Sequence, residues 1–156
     1  MDEIPTLKQI YEKLGCQEKT AGGVCWFECN TSADKAVILF HGVTGGKIDM
    51  VPLAERYVNF GYALYAIDLP GHGGSVQPPL NTYDDLADWL VEDLARLGRT
   101  PDLIVSNSYS SSIVYHALRT EKIPKNTKVI MACPTPDQSR LADTLHLLSR
   151  YLTEQI

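Results

Sequence analysis

The stretch Leu103-Ile104-Val105-Ser106-Asn107-Ser108-Tyr109-Ser110-Ser111-Ser112-Ile113-Val114-Tyr115-His116-Ala117-Leu118 constrains this chain more than any other. An apolar, β-branched run gives way to an abrupt turn of small residues at Ser106, Ser108 and Ser110, and then to apolar residues at helical spacing. The pattern predicts a strand, a tight turn and a helix with almost no loop between them. A serine at the tip of such a turn projects its hydroxyl above the sheet, and the amides that open the helix point toward the same spot. Ser108 is therefore the first candidate nucleophile. The other hydroxyls of the segment, at Ser110 and Ser111, are its rivals in a reading from sequence alone.

The flanking chain repeats the same alternation. Ile4 to Leu14 reads as a short helix closed by Gly15, and Val24 to Cys29 as a first strand after the Gly22-Gly23 break. The unbroken apolar run Ala36-Val37-Ile38-Leu39-Phe40 fits a strand covered on both faces. After the loop His41 to Gly46 come a helix from Pro52 to Asn59, stopped by Gly61, and a strand from Tyr62 to Ile67. Thr82 and Asp85 form a capping-box pattern ahead of Leu86, Ala87, Leu90, Val91, Leu94 and Leu97, which recur at helical spacing until Gly98. The strand into the turn is expected at Asp102 to Asn107, the helix out of it at Ser108 to Thr120, and a further strand at Lys128 to Cys133. Leu141, Leu145, Leu148 and Leu152 draw an apolar stripe along a final helix.

Strands alternating with helices imply right-handed crossovers. The expected fold class is α/β, a three-layer sandwich with a mainly parallel sheet and helices on both faces. The expected organisation is a single domain over 1–156. It divides into an N-terminal helix and lead-in (1–21), a sheet core (22–133) and a lid-like C-terminal helix (134–156). A chain of 156 residues buries roughly 68–70% of its unfolded surface, enough for a real core. Sites in such sheets lie beyond the carboxyl ends of the strands. The loops at His41 to Gly46 and Asp68 to Ser75 and the turn at Ser108 should converge there.

Bulk properties remove several function classes. A net charge of −5 and the lack of a Lys/Arg cluster argue against a nucleic-acid partner. No apolar run is long enough to span a bilayer. The acidic start Met1-Asp2-Glu3-Ile4-Pro5 lacks the basic-then-apolar order of a signal peptide, so the expected location is cytoplasmic. Cys16, Cys25, Cys29 and Cys133 show neither zinc-site spacing nor the density of a disulfide scaffold. They are expected to be reduced and structural, with Cys25 and Cys29 sharing one face of a strand.

Taken together, the motifs resemble those of the α/β-hydrolase superfamily over roughly Val24 to Cys133. His41-Gly42-Val43-Thr44-Gly45 is similar to its H-G-x-x-G oxyanion loop. Asp68-Leu69-Pro70-Gly71-His72-Gly73-Gly74-Ser75 is similar to its D-x-P-G-x-G-x-S loop, and Ser106-Asn107-Ser108-Tyr109-Ser110 to its small-x-Ser-x-small elbow. The nearest flavour is that of small carboxylesterases, lysophospholipases and monoglyceride lipases. The resemblance implies that Ser108 attacks a carboxylic ester, with the backbone amides of Val43 and Tyr109 as oxyanion hole and no cofactor. It places His41, Gly42, Val43, Tyr109 and His72 around the substrate, an acyl ester of small or medium size. Within that set His41 is expected to brace the oxyanion loop rather than transfer a proton, and His72 is read similarly. His116 lies eight residues beyond Ser108, about 12 Å along a helix, too far to deprotonate it.

The acid and the base are placed less directly. The family's catalytic histidine follows a last strand that this chain does not show, so the expected sheet lacks the last strands. Asp137 occupies the position that some members use for the acid, just after the strand at Lys128 to Cys133, and His146 is the remaining histidine for the base. The rival readings are a catalytically incomplete binding module and an N-terminal fragment of a longer hydrolase. An uncovered strand at 128–133 predicts a homodimer through that edge or through the C-terminal helix.

Overall fold

In a computed structural model the described residues are 4–133. The chain opens with α1 (Leu7–Lys13), whose start is set by reciprocal hydrogen bonds between Thr6 and Gln9. Then follow β1 (Gln17–Ala21), β2 (Val24–Cys29), β3 (Lys35–Phe40), a 3₁₀ turn (Lys47–Met50) and α2 (Val51–Asn59). The second half is β4 (Tyr62–Ile67), α3 (Tyr83–Arg96), β5 (Leu103–Asn107), α4 (Tyr109–Arg119) and β6 (Lys128–Ala132). The reciprocal cap expected between Thr82 and Asp85 opens α3.

The strands form one sheet in the order β1-β2-β4-β3-β5-β6. β4, β3, β5 and β6 run parallel, whereas β1 and β2 pair antiparallel with each other and β2 pairs antiparallel with β4. From β3 the chain crosses to β4 on one side and then returns to β5 on the other, so the order reverses at β3. Right-handed crossovers in opposite directions put their helices on opposite faces. Alternate side chains of β3 accordingly feed two cores. Val37 and Leu39 pack with Met50, Val51 and Ala54 on the α1/α2 side, and Ile38 and Phe40 with Leu90, Ile113 and Val114 on the α3/α4 side. The expected α/β three-layer architecture is the one found.

The N-terminal region departs from expectation. Gly22-Gly23 is not a break before the first strand but the two-residue tip of a hairpin, with φ of 56° and 79° and Ala21 opposite Val24. Successive positive φ values are what a type I′ connection requires. β1 carries Gln17, Glu18, Lys19, Thr20 and Ala21, all exposed, so it has no alternation to betray it. Its register places Gln17 opposite Glu28, and continuing it by one residue places Cys16 opposite Cys29. These two cysteines form a disulfide across a Cα–Cα distance of 4.6 Å, correcting the expectation that all four are reduced. Cys25 and Cys133 are free.

The expected final helix, with Leu141, Leu145, Leu148 and Leu152, lies outside the described residues, as do Asp137 and His146. No helix among the described residues is long and apolar enough to cross a membrane. Among the same residues β6 pairs only with β5, and Ile130 on it is 48% exposed.

Candidate active site

Because the strand order reverses at β3, the loops leaving the ends of β3 and β5 stand side by side. Ser108 sits where β5 ends and α4 begins, at φ 52° and ψ −115°. A side-chain-bearing residue with positive φ costs on the order of 1–3 kcal/mol and persists only where its surroundings hold it. The holding contacts are visible. The Ser108 N–H donates to Ala132 O at 2.8 Å, and its carbonyl accepts from the Ser111 N–H at 2.9 Å. Ser110 Oγ accepts from the Asn107 N–H at 3.0 Å and lies 3.2 Å from Phe40 O and 3.0 Å from Asn107 O, either of which can take its proton. Ser106 Oγ and Ser111 Oγ meet at 3.1 Å, and Ser111 Oγ donates to Ala132 O.

The elbow serines thus do more than stay small. Their hydroxyls tie β3, β5, β6 and α4 together around the turn, and Ser106, Ser110 and Ser111 are all buried. That leaves Ser108 as the half-buried hydroxyl at the tip. Among the described residues its Oγ makes no hydrogen bond.

The loop after β3 abuts this turn. A β-carbon on Gly42 would stand 3.6 Å from Ser108 Cβ and 3.4 Å from Asn107 Nδ2, so a glycine here keeps the two backbones in contact without obstructing the crevice. Gly42 O accepts from Gly45 N–H at 3.0 Å, closing a turn with Val43 and Thr44 at its tip. It also lies 2.7 Å from His41 Nδ1. The Leu69 N–H donates to His41 Nε2 at 2.9 Å, so Nε2 is the bare nitrogen and Nδ1 carries the proton given to Gly42 O. In a trans peptide the N–H points opposite the carbonyl. The Val43 N–H is therefore turned away from His41, and among the described residues it has no acceptor. The amide of Tyr109, first in α4, also lacks an intrahelical partner.

His41 is fully buried, and burial holds its imidazole below the ordinary histidine pKa despite the Gly42 carbonyl. With both nitrogens committed to backbone, it has no position from which to take a proton from Ser108. His72 Nε2 faces Val43 O at 2.7 Å and its Nδ1 faces Pro70 O at 2.9 Å. His116 reaches Asp84 Oδ1 at 2.8 Å. Every histidine among the described residues is thus engaged away from Ser108. Tyr109 packs its half-buried ring against the core, which raises its phenol pKa and leaves its backbone amide as the group nearest the turn.

One buried ionic centre beside the crevice was not legible beforehand. Asp68, at 1% exposure, accepts from the Lys47 N–H and Nζ at 2.7 Å each and from the Gly74 N–H at 2.9 Å. Burial raises the carboxyl pKa, but these donors outweigh it and hold it below the ordinary value. Glu18, on the unforeseen β1, adds a second carboxylate to Lys47 at 3.1 Å. Ser75 Oγ donates to Asp68 O and accepts from the Cys25 N–H. The loop after β4 is thereby fastened to both β2 and the loop after β3. No group of side chains that could hold a metal ion occurs among the described residues.

A mainly parallel sheet whose strand order reverses at β3, with a strained serine at a strand-to-helix turn and a glycine loop against it, defines a hydrolase-type α/β protein. Residues 37–154 match the model of the alpha/beta hydrolase family. The chain belongs to that family.

Solved structures agree on the fold. The chain resembles a predicted CIB-like hydrolase from Thermoplasma acidophilum (TM-score 0.65, 23% identity, 82% of this chain and 67% of that one). It resembles an esterase from Mycobacterium tuberculosis (TM-score 0.65, 21% identity, 94% of this chain and 53% of that one). It also resembles epoxide hydrolase A from Mycobacterium thermoresistibile (TM-score 0.68, 20% identity, 85% of this chain and 44% of that one). The chain thus spans two thirds of the first of these and about half of the other two. No curated protein matches it.

Proposed function

We propose that this chain carries the nucleophile and oxyanion hole of a serine hydrolase that cleaves a carboxylic ester. The observation that supports this best is the strained, half-buried Ser108, its hydroxyl unengaged among the described residues, at the start of α4 and against Gly42. Ser108 Oγ would attack the ester carbonyl carbon. The negative charge then forming on the carbonyl oxygen would be met by the amides of Val43 and Tyr109. Collapse of the tetrahedral intermediate expels the alcohol and leaves an acyl-serine, which water hydrolyses. Such chemistry needs no cofactor, and the expected substrate is an acyl ester of small or medium size.

The reaction also needs a base that takes the Ser108 hydroxyl proton and delivers it to the departing alcohol oxygen, then repeats the transfer with water. Asp137 and His146, outside the described residues, are the acid and base we assign to it.

The engagement of His41, His72 and His116 elsewhere favours a second reading, a binding module with the crevice but without proton transfer, or a chain completed by further polypeptide. Weak ester turnover would not separate these readings. In serine proteases the oxyanion hole and binding alone leave roughly 10³- to 10⁴-fold acceleration over water.

Covalent labelling separates them. A fluorophosphonate probe is expected to modify Ser108, located by peptide mass spectrometry, and to leave Ser108→Ala unmodified. Absence of labelling where a known serine esterase reacts fully would refute the enzymatic reading.

A further inference from the structure

The turn Gly42 to Gly45 is tied down by one backbone hydrogen bond and by two histidine rings. His41 holds the peptide before Val43 through Gly42 O, and His72 holds the peptide after it through Val43 O. Val43 and Thr44 are otherwise exposed, with Val43 at 53%. Among the described residues the Val43 carbonyl has His72 as its sole partner.

The two rings differ in what they need. His41 donates to one backbone group and accepts from another, which a neutral imidazole satisfies in full. His72 has a carbonyl oxygen in front of each nitrogen, at 2.7 and 2.9 Å. Carbonyl oxygens only accept, and a neutral imidazole has one N–H. A ring with one proton would set a lone pair against a carbonyl oxygen, and that contact would open.

We propose that His72 is a positioning residue of the oxyanion loop, gripping the Val43 carbonyl while its ring carries two protons and loosening its hold when one is lost. The ionisable group facing it is His41, whose ring lies 5.1 Å away; Asp68 and Asp49 act on His41 in turn, and Lys47 is bound to Asp68. Asp68 is committed to Lys47 and Gly74, and Asp49 to the Gly46 N–H. None of them hydrogen-bonds to the His72 ring. The grip therefore responds to the His72 proton through the two carbonyls. Its bearing on catalysis rests on the reading of Val43 as an oxyanion donor.

The test follows the loop directly in the ¹⁵N-labelled full chain, from about pH 5 to about pH 8, the range in which ordinary histidine side chains exchange protons. Ring ¹⁵N shifts should show His72 doubly protonated at the acid end. The amides of Thr44, which shares its peptide with the Val43 carbonyl, and of Val43 should shift along the same curve. In His72→Asn that curve should vanish from both amides while the rest of the spectrum stays dispersed. Relative to His72→Asn, which keeps the base, fluorophosphonate labelling of Ser108 should fall about tenfold as His72 loses its proton, the effect of losing one hydrogen bond to a charged donor. A single neutral His72 tautomer across the range, or Val43 and Thr44 amides indifferent to its titration, would overturn the proposal from the wild-type chain alone. Amides that track His72 in a chain whose Ser108 never labels would uphold the grip and refute the catalytic reading instead.

Discussion

Replacing Ser110 by alanine tests whether the elbow is held by its hydroxyls. Ser110 is 1% exposed, so no water stands ready to take over its bonds. The substitution removes the acceptor of the Asn107 N–H and the donor shared by Phe40 O and Asn107 O. An unpaired buried donor costs about 1–3 kcal/mol, and a lost neutral hydrogen bond about 1 kcal/mol. We expect a loss of about 2–3 kcal/mol in urea unfolding, equivalent to a Tm lower by roughly 5–10 °C for a chain of this size.

The same hydroxyl links the residue before Ser108 to the last residue of β3, where the glycine loop begins. Ser110→Ala is therefore also expected to slow fluorophosphonate labelling of Ser108 by about tenfold. Ser106→Ala serves as the comparison, because Ser106 bonds Ser111 and Ile130 O rather than the backbone beside Ser108. It should lose stability and keep its labelling rate. A Ser110→Ala protein within 0.5 kcal/mol (about the scatter of a neutral surface change) and labelled at the wild-type rate would refute the reasoning.

Three further perturbations address the rest of the molecule. Asp93, 2% exposed in α3, is paired through one oxygen with Arg96 while the other has no partner among the described residues. Burial pushes its carboxyl up to about 7 against the pull of Arg96. The folded state therefore holds this proton where the unfolded chain has lost it, and the group's contribution, about 4 kcal/mol, is present at low pH and lost as pH rises from about 4 to about 7. Thermal melts across that window should show a decline that flattens in Asp93→Asn; an Asn variant with the wild-type pH profile would rule the assignment out. Thiol titration of the denatured, unreduced chain should count Cys25 and Cys133 alone, and Cys16→Ser should cost about 3 kcal/mol for the short loop the disulfide closes; four reactive thiols would contradict the pairing. We also propose self-association through the β6 edge, where Ile130 is exposed. Light scattering at micromolar concentration should then give a dimer that Ile130→Lys dissociates, and a monomeric wild-type chain would count against it.

Local chemistry made much of this fold legible in advance. An apolar run such as Val37-Ile38-Leu39-Phe40 fits a strand covered on both faces, because both of its faces are apolar and it is too short for a buried helix. The α3 stripe and the Thr82/Asp85 cap mark a helix through spacing alone. The turn at Ser108 is visible for the same reason: strand, small residues and helix follow within a dozen positions. The element ends shift by one to three residues, as with α1 starting at Leu7 rather than Ile4 and α2 at Val51 rather than Pro52, since frayed turns depend on neighbours.

What only the tertiary structure decided involves partners far apart in sequence. β1 is polar and exposed throughout, so its existence rests on pairing with β2, and the Cys16–Cys29 bond follows from that register. Lys47, Asp68 and Glu18 meet because the sheet brings β1 and the segments that follow β3 and β4 together, not because of any spacing between them. The roles of His41 and His72 turn on which backbone groups face each ring nitrogen, and those belong to different loops. Apart from β1, the sequence by itself determined the principal strands and helices of the described residues, their order and the serine at the turn, because periodicity and turn chemistry act within a few residues. Folding alone decided which hydroxyls, rings and charges hold that serine and the glycine loop together, because a hydrogen bond is fixed by distance in space and has no trace in sequence separation.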